Sequence, residues 1–384
     1  MSLSSDGTIL AIGAPINDAG GNGSGHVRVF EWNISSTSWD QKGEDIVGEA
    51  AGDESGTSVS LSSDGTVLAI GAFKNDGANG ADSGHVRVYG WNTVTASWDQ
   101  MGDDIDGEAA DDESGVSVSL SGDGNVLAIG AFFNGGVLDS GHVRVYGWNN
   151  VTTSWDQMGT DIDGEAYYDY SGVSVSLSSN GNVLAIGADG NNGANGDNSG
   201  HVRVYQWNAE TSPPSWERMG ADIDGEAAAD YSGTSVSLSS DGTVVAIGAF
   251  FNGGNGYLSG HVRVYEWNAD TSSWEQKGAD IDGEAAWDRS GYSVSLSGDG
   301  TVLAIGAPYN GGNGTWSGHV RVYGWNDGTS SWQQQGIDID SEASGDFSGY
   351  SVSLSSDGTV VAIGAPENDD NGDLSGHVRV YEFY

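Results

Sequence analysis

The chain has 384 residues with 63 glycines, 5 prolines and no cysteine, and its formal net charge is −43. A surface this negative repels phosphate backbones and anionic lipid, which excludes nucleic acid and anionic membranes as direct partners. No segment approaches the ~18 apolar residues of a membrane span, so no direct membrane insertion is expected. Without cysteine there are no disulfides and no thiolate metal sites. The high glycine content with little proline favours many tight turns over a disordered linker.

An internal repeat dominates the chain. Every histidine stands in the phrase Ser-Gly-His-Val-Arg-Val-Tyr or its Phe variant, at His26, His85, His142, His201, His261, His319 and His377. A period of this size supplies the four short strands of one propeller blade. We therefore expect a single domain over 1–384, with repeats at about 1–57, 58–116, 117–173, 174–234, 235–292, 293–350 and 351–384.

The second repeat shows the predicted elements in chain order. Residues 57–62 (TSVSLS) alternate apolar and polar side chains, which predicts a first strand, and Asp64-Gly65 is a two-residue hairpin turn. Residues 66–72 (TVLAIGA) are continuously apolar, as in a second strand covered on both faces. After a Gly/Asn-rich loop, residues 85–91 (HVRVYGW) alternate again as a third strand, and residues 98–105 form the Trp-led fourth strand.

The last repeat is shorter than the others. The first three strands occur seven times, but the Trp-led strand occurs only at Trp39, Trp98, Trp155, Trp216, Trp274 and Trp332. The sequence thus predicts an all-β, seven-bladed β-propeller of four-stranded antiparallel blades whose last blade has three strands. The third strand of blade 7 would be a bare edge, so edge-strand self-association is an expected interaction.

The repeat phrase also carries a family resemblance. Residues 348–381 read Ser-Gly-Tyr-Ser-Val-Ser…Ala-Ile-Gly-Ala-Pro…Ser-Gly-His-Val-Arg-Val-Tyr, and Gly-Ala-Pro recurs at 13–15 and 306–308. This pattern resembles the FG-GAP repeat of integrin α-subunit propellers, with Ser-Gly in place of Phe-Gly. Elsewhere the third residue of Gly-Ala-Pro is replaced, by Phe73, Phe132, Asp189 and Phe250. The resemblance implies an extracellular or cell-surface propeller for adhesion or ligand binding, although the chain begins without a signal peptide.

One property of that family is not carried over. Integrin-type repeats often have an Asp-rich calcium loop between the first two strands, whereas this chain has a bare turn such as Asp64-Gly65 or Asp123-Gly124. Two residues cannot surround a cation that takes six to eight oxygen ligands. No calcium site is expected at this turn.

The His-Val-Arg and Trp motifs have structural interpretations. Copies of His85 in different blades lie too far apart to hold one ion, and a buried Arg87 needs a carboxylate or carbonyl partner between blades. Trp91 and Trp98 flank one hairpin, where a cross-strand aromatic pair stabilises the turn. A set of sugar-stacking tryptophans is the functional alternative.

An acidic phrase at the end of each blade is the candidate metal site. Asp104, Asp106, Glu108 and Asp112 alternate before and after a glycine, as in a loop for a hard cation. The same alternation places Ile105 inside a strand and both Asp outside, and Asp-Gly is ordinary turn chemistry. No cofactor is required on this reading, and Ca²⁺ is the ion that the phrase would take.

The positions that break the repeat are the candidates for partner binding. They lie in the loops between the second and third strands and in the loops between blades, two sets expected on one face that also holds most of the acidic residues. Aromatic and large apolar side chains of this kind anchor interfaces. The candidates are Phe133, Leu138, Tyr168, Tyr170, Tyr231, Tyr257, Trp287, Tyr309, Trp316 and Phe347. Folding back of these side chains over the blade ends is the alternative.

The sequence therefore favours a non-enzymatic binding or adhesion scaffold that recognises a protein or glycan ligand. A multivalent lectin with sugar sites between blades and a purely structural repeat module are the alternatives. An enzyme is not expected, because every candidate catalytic residue recurs from blade to blade, whereas an active site is a single asymmetric constellation.

Overall fold

The computed structural model describes residues 1–134, 139–372 and 374–383. The chain is an all-β, seven-bladed β-propeller with four-stranded antiparallel blades and a three-stranded last blade, as predicted. These residues include no helix with the length and apolar character that a membrane crossing requires.

Each class of strand has nearly the same length in every blade. The first strands are Ser2–Leu3, Ser58–Leu61, Ser117–Leu120, Ser174–Leu177, Ser235–Leu238, Ser293–Leu296 and Ser351–Leu354. The second strands are Ile9–Ala14, Val67–Ala72, Val126–Ala131, Val183–Ala188, Val244–Ala249, Val302–Ala307 and Val360–Ala365. The third strands are His26–Asn33, His85–Asn92, His142–Asn149, His201–Asn208, His261–Asn268, His319–Asn326 and His377–Glu382.

The fourth strand is broken into two segments, which differs from the continuous strand predicted over 98–105. The longer segments are Ser38–Gln41, Ser97–Gln100, Ser154–Gln157, Ser215–Arg218, Ser273–Gln276 and Ser331–Gln334. The shorter segments are Ile46–Val47, Ile105–Asp106, Ile162–Asp163, Ile223–Asp224, Ile281–Asp282 and Ile339–Asp340, and they too pair with the third strand. The break follows from Gly102, whose φ of +78° lies in the left-handed region that glycine tolerates best.

The contacts of the chain fall into two compact units, residues 1–184 with 205–217 and residues 185–204 with 218–384. The first unit contains blades 1–3 and the second contains blades 5–7. The expectation of one domain over 1–384 stays a prediction. In a repeat array each repeat packs mainly on its neighbours, so the sequence pattern alone does not mark such a division.

Apolar side chains fill the joint between consecutive blades. Within the first unit, Val86 and Val88 of blade 2 cluster with Leu120, Leu127 and Ile129 of blade 3. The second strand is buried on both faces, as its continuous apolar sequence predicts. Each such side chain contributes about 1.5–3 kcal/mol through its burial, so the joints hold the blades together.

A glycine in the second strands of blades 1, 2, 3, 5 and 6 lets the backbone of the following inter-blade loop pass closely. A Cβ at Gly71 would lie 2.0 Å from the carbonyl oxygen of Gly115. That same oxygen accepts a 2.7 Å hydrogen bond from the Ser58 hydroxyl. The Ser-Gly that replaces Phe-Gly in each repeat therefore makes a close backbone contact with the preceding blade.

The two hairpins of each blade are closed as the sequence predicts. Trp91 and Trp98 are directly opposite in the sheet register with ring centroids 5.3 Å apart. The Trp98 indole also donates a 2.9 Å hydrogen bond to the Lys42 carbonyl of the preceding blade. In the Asp-Gly turn, the Asp64 carboxylate accepts hydrogen bonds from the hydroxyls of Ser62 and Thr66 at 2.8 and 2.7 Å.

The last blade ends at its third strand. Among the residues described, His377–Glu382 pairs with the second strand alone, and its side chains are half-buried rather than buried as in blades 2 and 3. The bare edge predicted from the sequence is therefore present. Self-association through it stays a prediction.

Candidate functional sites

An arginine from each third strand anchors the joint between blades. In the first unit, Arg87 donates a 2.9 Å hydrogen bond from Nη2 to the Val47 carbonyl of blade 1. Its Nη1 lies 3.6 Å from Oε1 of Glu49, in the loop that leaves blade 1. The carboxylate and carbonyl partners predicted for this buried arginine are thus confirmed.

A histidine two residues before that arginine faces a pair of carboxylates. Each of these clusters combines a Glu, a His and an Asp whose candidate ligand atoms lie within 4.8 Å of one another. Four that lie wholly within one unit are Glu49–His85–Asp104, Glu108–His142–Asp161, Glu226–His261–Asp280 and Glu284–His319–Asp338. We call these four the inter-blade clusters. Such donor sets could hold a metal ion.

The geometry inside an inter-blade cluster is nearly constant. Nδ1 of His85 lies 4.0 Å from Oε2 of Glu49 and 3.9 Å from Oδ2 of Asp104. The corresponding His–Glu distance is 3.8 Å at both His142 and His261. These separations exceed the 2.7–3.2 Å of a hydrogen bond.

Burial sets the electrostatics of these histidines. The side chains of His85, His142, His261 and His319 are 2% exposed. Desolvation by burial, followed by the charge of the neighbouring arginine, lowers the pKa of each imidazole below its usual value. Burial and the neighbouring arginine thus both favour the neutral form of each imidazole.

A glutamine orients the Asp of each cluster. The Gln100 side-chain amide donates a 2.7 Å hydrogen bond to Oδ1 of Asp104, which leaves Oδ2 toward the histidine. The same bond joins Gln157 to Asp161 at 2.7 Å. The supporting hydrogen bond fixes one carboxylate oxygen and presents the other to the cluster.

The four residues predicted as a calcium loop are not brought together. Asp104 belongs to the cluster of His85, and Glu108 belongs to the next cluster, that of His142. Asp106 lies in the short fourth-strand segment, and burial raises its pKa. Asp112 is buried and caps a turn by accepting hydrogen bonds from the backbone N–H groups of Glu108 and Ala109 at 3.1 and 2.7 Å. The four carboxylates have different neighbours because only Asp106 lies in the strand segment, while Glu108 and Asp112 belong to the loop that leads to the next blade.

The predicted aromatic residues form separate groups in the two units. In the first unit, Tyr170 contacts Phe133 and Tyr168 edge-on, with centroids 5.6 and 6.3 Å apart. In the second unit, Tyr257 and Trp287 meet at 4.8 Å. The rings thus pack on one another, yet Tyr168, Tyr257, Trp287 and Trp316 remain more than half exposed. Leu138 lies outside the described residues.

A guanidinium joins the aromatic group of the second unit. Arg289, from the loop between blades 5 and 6, lies 4.0 Å from the ring centroid of Tyr309 and 5.1 Å from that of Phe251. Phe251 in turn contacts Tyr231 edge-on at 5.0 Å. Phe347 and Trp316 extend the group beyond Tyr309, with Phe347 at 5.1 Å from it. Tyr231, Tyr309, Trp316 and Phe347 of the predicted set therefore lie in one connected surface.

Next to this surface stands a carboxyl group that the repeat does not predict. Asp189 follows the second strand of its repeat, where the other repeats have Pro or Phe. The hydroxyl oxygen of Thr234 lies 2.9 Å from Oδ2 of Asp189 and 2.9 Å from the Tyr231 carbonyl oxygen, so its single proton is shared between these two acceptors. Desolvation by burial raises the pKa of Asp189 from 3.8 to about 6. Asp189 is thus an asymmetric, half-buried carboxyl that changes charge close to neutral pH.

Two signals for these sites were present in the sequence. The end of the second strand carries an apolar residue in the other repeats, so the carboxyl of Asp189 is unusual there. The burial that raises the pKa of Asp189 is seen only in the folded structure. The histidines were discounted because their copies lie in different blades. Their carboxylate partners come instead from the loop of the preceding blade and from the same blade's fourth strand.

Comparison with known proteins identifies the repeat. Residues 276–323 and 333–381 are FG-GAP repeats. The resemblance stated from the sequence is therefore confirmed for these residues. No curated protein sequence matches the chain.

Three solved structures share the fold over almost the whole chain. A candidate 6-phosphogluconolactonase from Bacteroides uniformis superposes with a TM-score of 0.66 at 11% identity, covering 98% of this chain and 92% of its own. The periplasmic gluconolactonase of Pseudomonas aeruginosa gives 0.60 at 14% identity, with 98% and 96% covered. A candidate 6-phosphogluconolactonase from Bacteroides fragilis gives 0.62 at 10% identity, with 98% and 95% covered. At these identities the likeness shows the fold.

This finding overturns the expectation of a non-enzymatic scaffold. The sequence argument set an enzyme aside because the candidate residues repeat, yet the same propeller fold occurs over almost the whole chain in a gluconolactonase and in two candidate 6-phosphogluconolactonases. A repeated framework can carry a single asymmetric site where one loop departs from the repeat. Asp189 with Thr234 is such a departure.

Proposed function

We propose that the chain is a hydrolase of a small lactone or related ester, with Asp189 as its general base. The observation that carries the proposal is the single carboxyl that interrupts the repeat, oriented by Thr234 and with its pKa raised to about 6. A base whose pKa lies near the working pH is ionised enough to act and basic enough to accept a proton. The full-length likeness to lactonases supplies the substrate class.

The chemistry requires one proton acceptor beside the reacting water. Asp189 takes a proton from water as the water oxygen attacks the lactone carbonyl carbon. The acyl C–O bond of the ring then breaks, and the same proton passes to the departing ring oxygen. The product is a hydroxy acid, and Asp189 returns to its ionised form.

The neighbouring surface and the net charge of the chain narrow the range of substrates that we propose. Thr234 lies beside the Tyr231 carbonyl, and the Tyr231 ring leads through Phe251 to Arg289, which adds a cation for a carbonyl or hydroxyl oxygen. A net charge of −43 disfavours a phosphorylated substrate. The proposed substrate is therefore a neutral lactone of a sugar acid.

The test compares lactone hydrolysis with the spontaneous rate. Glucono-δ-lactone, 6-phosphogluconolactone and a neutral aliphatic lactone are assayed by pH-stat, and glucono-δ-lactone is expected to be turned over fastest. Asp189→Asn keeps an acceptor for Thr234 and is expected to lower kcat at least ~100-fold, the range for loss of a general base. Asp270→Asn removes an exposed carboxyl of a hairpin loop and is the matched control. Hydrolysis at the spontaneous rate for all three lactones, or full activity of Asp189→Asn, contradicts the proposal.

Three further expectations remain proposals. Ca²⁺ is the ion implied by the acidic phrase, and the donor sets in the structure include imidazole as well as carboxylate. The extracellular location rests on the FG-GAP resemblance, and detection of the protein in the culture medium of its source cells would support it. Self-association through the bare edge of His377–Glu382 predicts a sedimentation coefficient that rises with concentration.

A further inference from the structure

We infer that the inter-blade clusters are binding sites for a divalent transition-metal ion such as Zn²⁺ or Mn²⁺. Each cluster offers one imidazole nitrogen and two carboxylate oxygens from two consecutive blades. A bound ion would therefore join the loop of one blade to the third and fourth strands of the next. The inference does not depend on the proposed hydrolase activity.

Carboxylates near each other are common on a surface this acidic, so the histidine is the informative residue. The His142 side chain is 2% exposed, and within the described parts of the chain its Nε2 is buried without a hydrogen-bond partner. A buried polar group without a partner costs free energy. Nδ1 of His142 points at Oε2 of Glu108, 3.8 Å away, where a ligand could satisfy it.

The spacing fits a shared ion better than direct contact. Two ligands about 2.1 Å from one ion lie roughly 3.0–3.4 Å apart in octahedral or tetrahedral geometry. The His–Glu distances of 3.8–4.0 Å require the Glu to move inward by about 0.4–1 Å. The Glu side chains are 43–47% exposed, and the movement would exchange part of an ion pair such as that of Glu49 with Arg87 for the bound ion.

The donor set selects the class of ion. Imidazole suits Zn²⁺ and its neighbours in the first transition row, and carboxylates accept both these ions and Mn²⁺. Ca²⁺ and Mg²⁺ prefer oxygen ligands alone and in larger number. We therefore expect the clusters to prefer Zn²⁺ or Mn²⁺ over Ca²⁺.

The experiment separates coordinated ions from the diffuse cations that any such acidic chain attracts. Zn²⁺, Mn²⁺ and Ca²⁺ are titrated calorimetrically in 0.5 M NaCl, where diffuse attraction is largely screened. The wild type is expected to retain Zn²⁺ sites that saturate, and the quadruple variant Glu49→Gln, Glu108→Gln, Glu226→Gln and Glu284→Gln is expected to bind four fewer ions per chain. Visible absorption of added Co²⁺ reports directly on imidazole and carboxylate ligands and should fall in the same variant.

A second quadruple variant is the matched control. Asp99→Asn, Asp156→Asn, Glu217→Gln and Glu275→Gln also remove four carboxylates, all exposed on the longer fourth-strand segments. This variant should keep the wild-type stoichiometry. Loss of saturable binding by the wild type in 0.5 M NaCl, or equal stoichiometry in both quadruple variants, overturns the inference. If the first variant does not fold, the single change Glu49→Gln with the Co²⁺ signal gives the same decision.

Discussion

The strands and joints of this propeller differ in kind from the loops at one end of its blades. The strands and joints, here called the repeated framework, keep the same residues and contacts from blade to blade, such as Gly71 against Gly115 and Trp98 against Lys42. The loops after the second strands and between blades, here called the variable loops, differ in sequence and hold Asp189. The comparison shows that residues repeated in every blade pack the fold, whereas residues that depart from the repeat are available for catalysis or binding.

The inter-blade clusters stand between these two classes. Their Glu residues come from the loops between blades, but their His residues belong to the repeated framework and are buried in it. A repeated residue can therefore be more than a packing residue when its polar atoms are left without partners. The metal titration decides whether the inter-blade clusters only pack within the repeated framework or also bind metal ions.

The largest expected effect concerns a glycine of the framework. In Gly71→Ala the new Cβ would meet the Gly115 carbonyl oxygen at 2.0 Å and the Ser58 hydroxyl at 2.3 Å, so the backbone must shift. We expect a loss of about 4 kcal/mol in the free energy of unfolding, above the usual cost of overpacking. Gly253→Ala in a variable loop is the control, because its nearest neighbour is 3.8 Å away. Urea unfolding measures both, and an equal effect at the two positions would break the comparison.

Removal of a tryptophan should give a slightly smaller contrast. Trp98→Ala deletes both the cross-strand contact with Trp91 and the hydrogen bond to the Lys42 carbonyl, so we expect a loss of about 3 kcal/mol. Trp316, which is 52% exposed in a variable loop, should cost less than about 1 kcal/mol when changed to Ala. Guanidinium unfolding of the two variants checks the difference. Similar losses would place Trp316 in the framework.

The framework was largely predictable from the sequence, because period-two alternation and Asp-Gly turns are local signals. Thr57 to Leu61 and Asp64-Gly65 appear in the structure as an inner strand and its hairpin turn. The three-stranded last blade also followed from the sequence, since the Trp-led strand is missing there. The break after Gln100 did not follow from the sequence, because a single glycine such as Gly102 within a strand-like segment does not by itself show that its φ will be positive.

The candidate sites were less predictable for a physical reason. The acidic phrase around Asp104 suggested one cation loop, but Asp104 precedes the strand segment Ile105–Asp106 and Glu108 follows it in the loop toward the next blade, so the two face different histidines. For the nine predicted aromatic residues that the structure describes, the contacts depend on how neighbouring loops meet. The raised pKa of Asp189 depends on burial, which no local pattern encodes.

The smallest effect tests the variable loops through pH. Burial raises the pKa of Asp189 to about 6 in the folded chain, against 3.8 as its ordinary value. Well below pH 3.8 the carboxyl is protonated in both states and costs nothing, and at pH 4 the cost is still small. As the pH rises from 4 to 6, the carboxyl ionises first in the unfolded chain, so the free energy of unfolding falls by up to about 2–3 kcal/mol and stays lower above pH 6.

Asp189→Asn removes this cost while keeping an acceptor for Thr234. The variant should therefore be more stable than the wild type by about that amount at pH 8 and nearly equal to it in stability at pH 4. Urea unfolding at the two pH values measures the difference, with Asp270→Asn as the exposed control. If the stability difference between Asp189→Asn and the wild type is the same at pH 4 and pH 8, the pKa of Asp189 is not raised by burial. The hydrolase proposal would then have no general base.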